Sequence, residues 1–122
     1  MIDSDTLIKS YLAAIAARDF DLARTFLADR GFKYTSPIGS FKDADRFIES
    51  ISAVGQILER LDIRKCLASD NEVIVIIDTT LTLNGYASYT SAMLFVTSNG
   101  SIKSIEAIFD ASDYHKMFTS ED

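Results

Sequence analysis

Tyr34-Thr35-Ser36-Pro37-Ile38-Gly39-Ser40-Phe41 separates two kinds of sequence within this chain. Pro37 is the only proline. It biases Ser36 away from helix and donates no backbone N–H, so an extended segment must end or bend there. Phe32, Tyr34 and Ser36 alternate with Lys33 and Thr35, which predicts a short strand stopping at Pro37. Gly39 gives the following turn its freedom.

Upstream, the apolar residues recur at helical spacing. Asp3 or Ser4 caps a first helix that carries Leu7, Ile8, Tyr11, Leu12 and Ile15 on one side. Asp19 starts a second, shorter helix with Phe20, Ala23, Phe26 and Leu27 inward, and Gly31 is expected to stop it. Downstream, Asp43 caps a third helix whose core side is Phe47, Ile48, Ile51 and Val54, with a break at Gly55. From about Leu58 the period becomes that of strands. Leu61, Ile63 and Leu67 alternate with Arg60, Asp62, Arg64 and Cys66. Ser69-Asp70-Asn71 is a turn signal. Val73 to Leu83 is rich in β-branched residues, and Asn84-Gly85 is a hairpin signal. Tyr86 to Thr97 returns, Asn99-Gly100 turns again, and Ile102 to Phe109 is the last strand. The polar tail Ser112 to Asp122 is expected to fray. Helices followed by strands in hairpin succession imply an α+β fold with helices on one face of the sheet.

The 122 residues are the size of one domain, and no linker or repeat divides 1–122. A hydrophobic fraction of 48% suffices for a core. The net charge of −6 argues against nucleic acid and anionic membranes as partners. The apolar run Val73 to Ile77 is too short to span a bilayer. Met1-Ile2-Asp3-Ser4-Asp5 is acidic and no signal peptide is visible, so the cytoplasm is the expected location. A single cysteine, Cys66, forms no internal disulfide and reads as a half-buried strand residue. Asn99-Gly100-Ser101 matches a glycosylation sequon but reads as a turn. The lone histidine, His115, has no second histidine with which to build a metal site. No phosphate loop, nucleophile elbow or dinucleotide fingerprint is present, so no metal and no cofactor is expected.

Ser10 to Asp21, Phe26-Leu27-Ala28-Asp29, Tyr34 to Ser40 and Asn99 to Asp110 together resemble the nuclear transport factor 2-like superfamily. Its ketosteroid isomerases and SnoaL-like polyketide cyclases are the nearest patterns. The resemblance spans nearly the whole chain and rests more on element order than on any single motif. It implies a cone, in which a strongly curved, mostly antiparallel sheet wraps three N-terminal helices and leaves a pocket at the open end. Pocket positions are then Tyr34, Ser36, Phe47, Ile51, Val75, Ile77, Ala92, Leu94, Ala107 and Phe109. The superfamily holds isomerases, cyclases, dehydratases, epoxide hydrolases and binding proteins, so the fold alone does not fix the activity.

Chemistry must come from the residues at those positions. Tyr11 matches the isomerase tyrosine that donates to a developing oxyanion; otherwise it is a core tyrosine with its hydroxyl at the pocket edge. Ser36 stands where the isomerase has its aspartate base, and a serine has no base strength without a proton acceptor. It either bonds a ligand or closes the turn. Ala92 stands where the isomerase has a neutral carboxylic acid. With two of three groups replaced, the isomerase proton shuttle is absent. Asp110 stands where the cyclases carry an acid/base aspartate, but Glu106 replaces the aromatic residue four positions earlier. Regular alternation points Asp110 out of the cone with Glu106, as a solvated strand-end acid. Asp78 is expected on the outer sheet face, and Tyr86 and Tyr89 flank the hairpin. The first expectation is therefore a domain that binds a small hydrophobic molecule. The alternative is a SnoaL-like isomerase, cyclase or dehydratase using Tyr11 and Asp110. Apolar residues on both faces of Val73 to Ile77 also suggest a homodimer through the outer sheet face, or a purely structural module.

Overall fold

The computed structural model describes residues 3–82, 85–110 and 112. The expected turn residue Asn84, His115 and all of the tail beyond Ser112 lie outside them. The helices are α1 (Ser4–Ala16), α2 (Phe20–Thr25) and α3 (Ala44–Gly55). The strands are β1 (Lys33–Ser36), β2 (Gly39–Phe41), β3 (Leu58–Ser69), β4 (Glu72–Thr82), β5 (Tyr86–Ser98) and β6 (Ser101–Ile108).

Each helix begins at an aspartate whose side chain satisfies a free N–H of the first turn. Asp3 accepts from the Thr6 N–H at 2.8 Å, Asp19 from Leu22 at 3.1 Å, and Asp43 from Asp45 at 2.8 Å. Such a cap is worth about 0.5–2 kcal/mol. The second helix does not run to Gly31; it ends at Thr25. Leu27 instead bridges Ile102 in parallel fashion, with Ala28 donating to Ile102 O and Ile102 to Phe26 O. A sheet partner outbids another helical turn there.

The six strands form one open, curved sheet in the order β2-β1-β6-β5-β4-β3. From β3 to β6 every neighbour is antiparallel, and the β3–β4 and β5–β6 turns fall where expected. Asp70, Asn99 and Gly100 take positive φ there, at 52°, 52° and 79°. β1 joins the sheet parallel to β6, and β2 folds back on β1 as a short hairpin around Pro37 and Ile38. That second strand is not visible in the alternation of the sequence.

Strand parity sets what faces inward. On β4 the inward set is Val73, Val75, Ile77, Thr79 and Leu81, all buried, while Ile74, Asp78 and Thr80 face outward. Thr79 pairs with Tyr89, Ile77 with Ser91, Val75 with Met93 and Val73 with Phe95, so these β5 residues point inward too. On β3 the simple alternation fails. A bulge between Ile63 and Lys65 shifts the register, so Cys66 pairs with inward Val75 and Leu67 with outward Ile74. Leu67 is accordingly exposed and Cys66 half-buried, its thiol 3.2 Å from Asp5.

The helices cover the inner face only. α1 packs on β3, β4 and β6, and α2 bridges α1 and α3. At one end Leu7 and Ile8 meet Val73, Val75, Phe95 and Ile102 in a filled core. Each of these side chains contributes about 1.5–3 kcal/mol by leaving water. Ser4 Oγ fastens this end to Thr97 Oγ1 and Asp70 O, both at 2.9 Å. At the other end Arg18, held at φ 60°, donates to Gly55 O and Leu58 O and so ties the α1–α2 corner to the end of α3.

Two predictions follow from these contacts. A Cβ on Gly55 would lie 2.4 Å from Phe20 Cζ, so Gly55→Ala must displace that ring. The variant is expected to lose about 1–3 kcal/mol in urea unfolding. In a Phe20→Ala background the same change should become neutral or stabilising, because alanine is the better helix former. Asp78 on the outer face is held below the usual carboxylate range by the Thr90 hydroxyl and by Arg64, at 2.6 Å and 2.8 Å. A lowered folded pKa means the unfolded chain binds the proton more readily. The contribution is therefore complete above the unfolded value near 4 and is lost as pH falls through the folded one. Asp78→Asn should flatten the decline of stability below about pH 4 in acid titrations followed by circular dichroism.

Candidate functional site

Beyond the filled end, the space between α1, α3, the β1–β2 hairpin and the sheet opens into a cavity of about 310 Å³. That is the size of a small-molecule pocket. Tyr11 marks its floor: it lines the cavity on one side and meets Phe95 edge-on at 6.0 Å on the other. Leu12 and Ile15 continue the α1 wall. Opposite, Tyr34, Phe41 and Phe47 form an aromatic cluster, with Tyr34 and Phe47 stacked at 4.5 Å. Phe32 backs it at 5.4 Å from Phe47. The sheet wall carries Thr79, Tyr89, Ser91, Met93, Ile105 and Phe109, with Tyr89 and Phe109 in ring contact at 5.8 Å. Ile38, Gly39 and Ser40 stand at the exposed rim, so the turn around Pro37 is part of the mouth.

The lining holds no aspartate, glutamate, lysine, arginine, histidine or cysteine among the described residues. Among the described residues tyrosine hydroxyls are its only ionisable groups, and burial pushes that of Tyr11 far above its ordinary range, with Tyr34 adding to the shift. Tyr11 is therefore a neutral donor at any physiological pH. No group of three or more metal-ligating side chains occurs among the described residues.

Of the positions expected to form the pocket, Tyr11, Tyr34, Ser36, Phe47, Ile51 and Phe109 line the cavity. Val75, Ile77 and Ala107 face inward but are buried in the packing away from the opening. Ala92 and Leu94 lie on the other side: they pair with outward Ile76 and Ile74 and belong to the outer face. Their places on the inner wall belong to Ser91 and Met93. β5 reads Ser91-Ala92-Met93-Leu94-Phe95, apolar or small on both parities, so alternation alone does not choose the face. Tyr89, expected to cover the hairpin, is a wall residue. Parity with Val75 and Ile77 was the available signal for Thr79, and through the hairpin register for Tyr89 and Ser91.

Ser36 and Asp110 each had a structural role as one of two expected readings, and each is found in it. The Ser36 hydroxyl accepts from the Ile38 N–H and donates to Gly39 O, both at 3.2 Å, so it closes the turn at the pocket edge. Asp110 is exposed, does not line the cavity, and accepts from the Ser112 N–H at 2.9 Å. Tyr11 and Asp110 are thus not brought together as a proton-transfer pair. What the arrangement can do is enclose an apolar body and present hydroxyl groups to it.

No protein-family profile matches the chain, and no curated protein matches it in sequence. Solved structures do match it in shape. An NTF2-like protein from Burkholderia pseudomallei superposes with a TM-score of 0.85 at 21% identity, over 98% of this chain and 100% of its own. An LEH-like epoxide hydrolase of M. tuberculosis gives 0.79 at 18% identity, over 93% and 86%. A protein with a ketosteroid isomerase-like fold from Catenulispora acidiphila, solved with trimethylamine, gives 0.78 at 14% identity, over 91% and 90%. At these identities the likeness is one of architecture: the chain has the cone-shaped α+β fold of NTF2-like and ketosteroid isomerase-like proteins.

Proposed function

We propose that this domain binds a small, hydrophobic, uncharged molecule inside the cone and does not catalyse proton transfer. The observation that carries this reading is the cavity wall itself, aromatic and aliphatic with hydroxyl groups and no charged side chain among the described residues. A general acid or base must reach the proton it moves, and Asp110, the acid of the alternative reading, is exposed and does not line the cavity. Burial of a charged ligand here would go uncompensated, whereas an apolar one gains about 25 cal/mol per Å² removed from water. Phenylnaphthylamine, an uncharged fluorescent lipophile, tests the reading. Its fluorescence should rise saturably with one site per chain, and Ile51→Trp, which fills the cavity from α3, should weaken binding about tenfold or more. No binding, or equal binding to the filled variant, overturns it.

The outer face points to a partner as well. Leu67, Ile74 and Ile108 are 59%, 45% and 58% exposed there. Ile74 pairs with Leu94, and Ala92 with both Ile76 and Ile108, so the register makes them one band. On the β3 side Arg60 and Arg64 are paired with Asp62 and Asp78, which leaves the Lys65 charge, and Glu106 stands on the β6 side. A two-fold axis parallel to the strands lays the Lys65 side of one copy over the Glu106 side of another. We infer a homodimer through this face. Sedimentation velocity should give twice the chain mass, and Leu94→Glu should give one chain mass with an unchanged circular dichroism spectrum. A single-chain mass for the unaltered protein removes the dimer and leaves the cavity reading standing.

A further inference from the structure

Ser91 differs from the other buried polar groups. It sits on the inner face of β5 opposite Ile77 and lines the cavity between Tyr89 and Met93. It is 2% exposed, and its Oγ is the one buried side-chain nitrogen or oxygen among the described residues with no hydrogen-bond partner. Thr97, also buried, shows the contrast: its hydroxyl is bonded to Ser4 Oγ and to Asn71 O. An orphaned buried hydroxyl costs stability, and alanine would fill nearly the same space without it. A serine hydroxyl both donates and accepts, and it turns about one side-chain bond.

The remaining serines of the cavity are otherwise placed. Ser36 is bonded within its turn, and Ser40 and Ser50 are exposed. The depth of the pocket therefore combines flat aromatic walls, no charged group among the described residues, and one unsatisfied hydroxyl. We infer that Ser91 is the polar anchor of the cavity: its hydroxyl pairs with a hydroxyl or carbonyl oxygen of an uncharged ring compound whose apolar body packs on the aromatic walls. This rests on the cavity being a binding site, and adds which chemistry it selects. A carboxylate or an ammonium on the same body would be buried without a counter-charge. A hydrocarbon would leave Ser91 unpaired.

Indane, indanol, indane carboxylate and protonated aminoindane share one bicyclic body and serve as probes, titrated into the intact protein and followed by amide NMR shifts. The expected result is that indanol binds about as tightly as indane or better, despite its greater cost of leaving water, and that both charged forms bind about tenfold more weakly. In Ser91→Ala the ratio of indanol to indane affinity should fall about five- to tenfold, with indane unchanged or improved. The unliganded variant should also melt about 2–6 °C higher, because the orphan is gone. Ser91→Cys keeps the side-chain size with only a weak donor, and the same ratio is read on it if the alanine variant does not fold. Binding of all four probes without discrimination, or an unchanged ratio in the variants, overturns the anchor while leaving the cavity as a binding site. A melting temperature that falls in Ser91→Ala means that the hydroxyl already has a protein partner and likewise overturns it. Absence of binding by every probe overturns the cavity reading and the anchor with it.

Discussion

A helix and a strand of equal residue count differ twofold in length, and that mismatch governs this molecule. The 13 residues of α1 rise about 20 Å at 1.5 Å each, whereas the 13 residues of β5 reach about 43 Å at 3.3 Å each. One helix laid on the concave face cannot cover its strands. Its first half, fastened by Ser4 to the β3–β4 turn, fills the end built from Val73, Val75 and Phe95. Beyond Tyr11 the filling passes to α3 and to rings reaching in from the β1–β2 hairpin, and these close the space from the sides. The cavity is what remains where three short helices meet a longer curved sheet.

Where that space lies determines which chemistry is open to it. Charged side chains can avoid burial only by reaching water or a partner, and the chain sends them elsewhere. Arg24 is committed to Asp45 and Asp29, Arg64 to Asp78, and Arg18 to backbone carbonyls at the end of α3. The residues left to face the cavity are rings, aliphatic chains and hydroxyls. Ser36 shows how local geometry decides a role. The tight turn forced by Pro37 brings the Ile38 N–H and Gly39 O to 3.2 Å from its hydroxyl, and the hydroxyl proton is committed to the turn.

The elements set by local chemistry are the ones legible in the sequence. Three capping aspartates, the Asn99-Gly100 turn and the β-branched run of β4 each carry a short-range physical signal, and each lies where it was expected. Long-range pairing leaves no such trace. Nothing in Lys33–Ser36 announces a parallel partner in β6, and nothing in Leu27 announces Ile102. The bulge after Ile63 is equally silent, yet one residue of slip exchanges the faces of Cys66 and Leu67. The candidate site was legible in outline through Tyr11, Tyr34, Phe47 and Phe109, and misread on β5 at Ala92 and Leu94.

That misreading has a cause that bears on function. In an ordinary half-buried sheet the inward positions are apolar and the outward ones polar. On the cavity half of β4 and β5 the inward positions include Thr79, Tyr89 and Ser91, with Asp78, Thr80 and Thr90 outward, whereas toward the filled end Val73, Val75 and Phe95 face in and Ile74, Ile76 and Leu94 face out. The usual polarity fails on the inner face at one end of these strands and on the outer face at the other. An apolar outward residue is tolerable when something covers it, and a polar inward one when something pairs with it. In the proposed reading a partner surface covers Ile74 and Leu94, and a ligand oxygen pairs with the Ser91 hydroxyl. Strand geometry ties the two demands together: Ser91 and Ala92 are consecutive residues, so any shift of β5 that tightens one face must move the other.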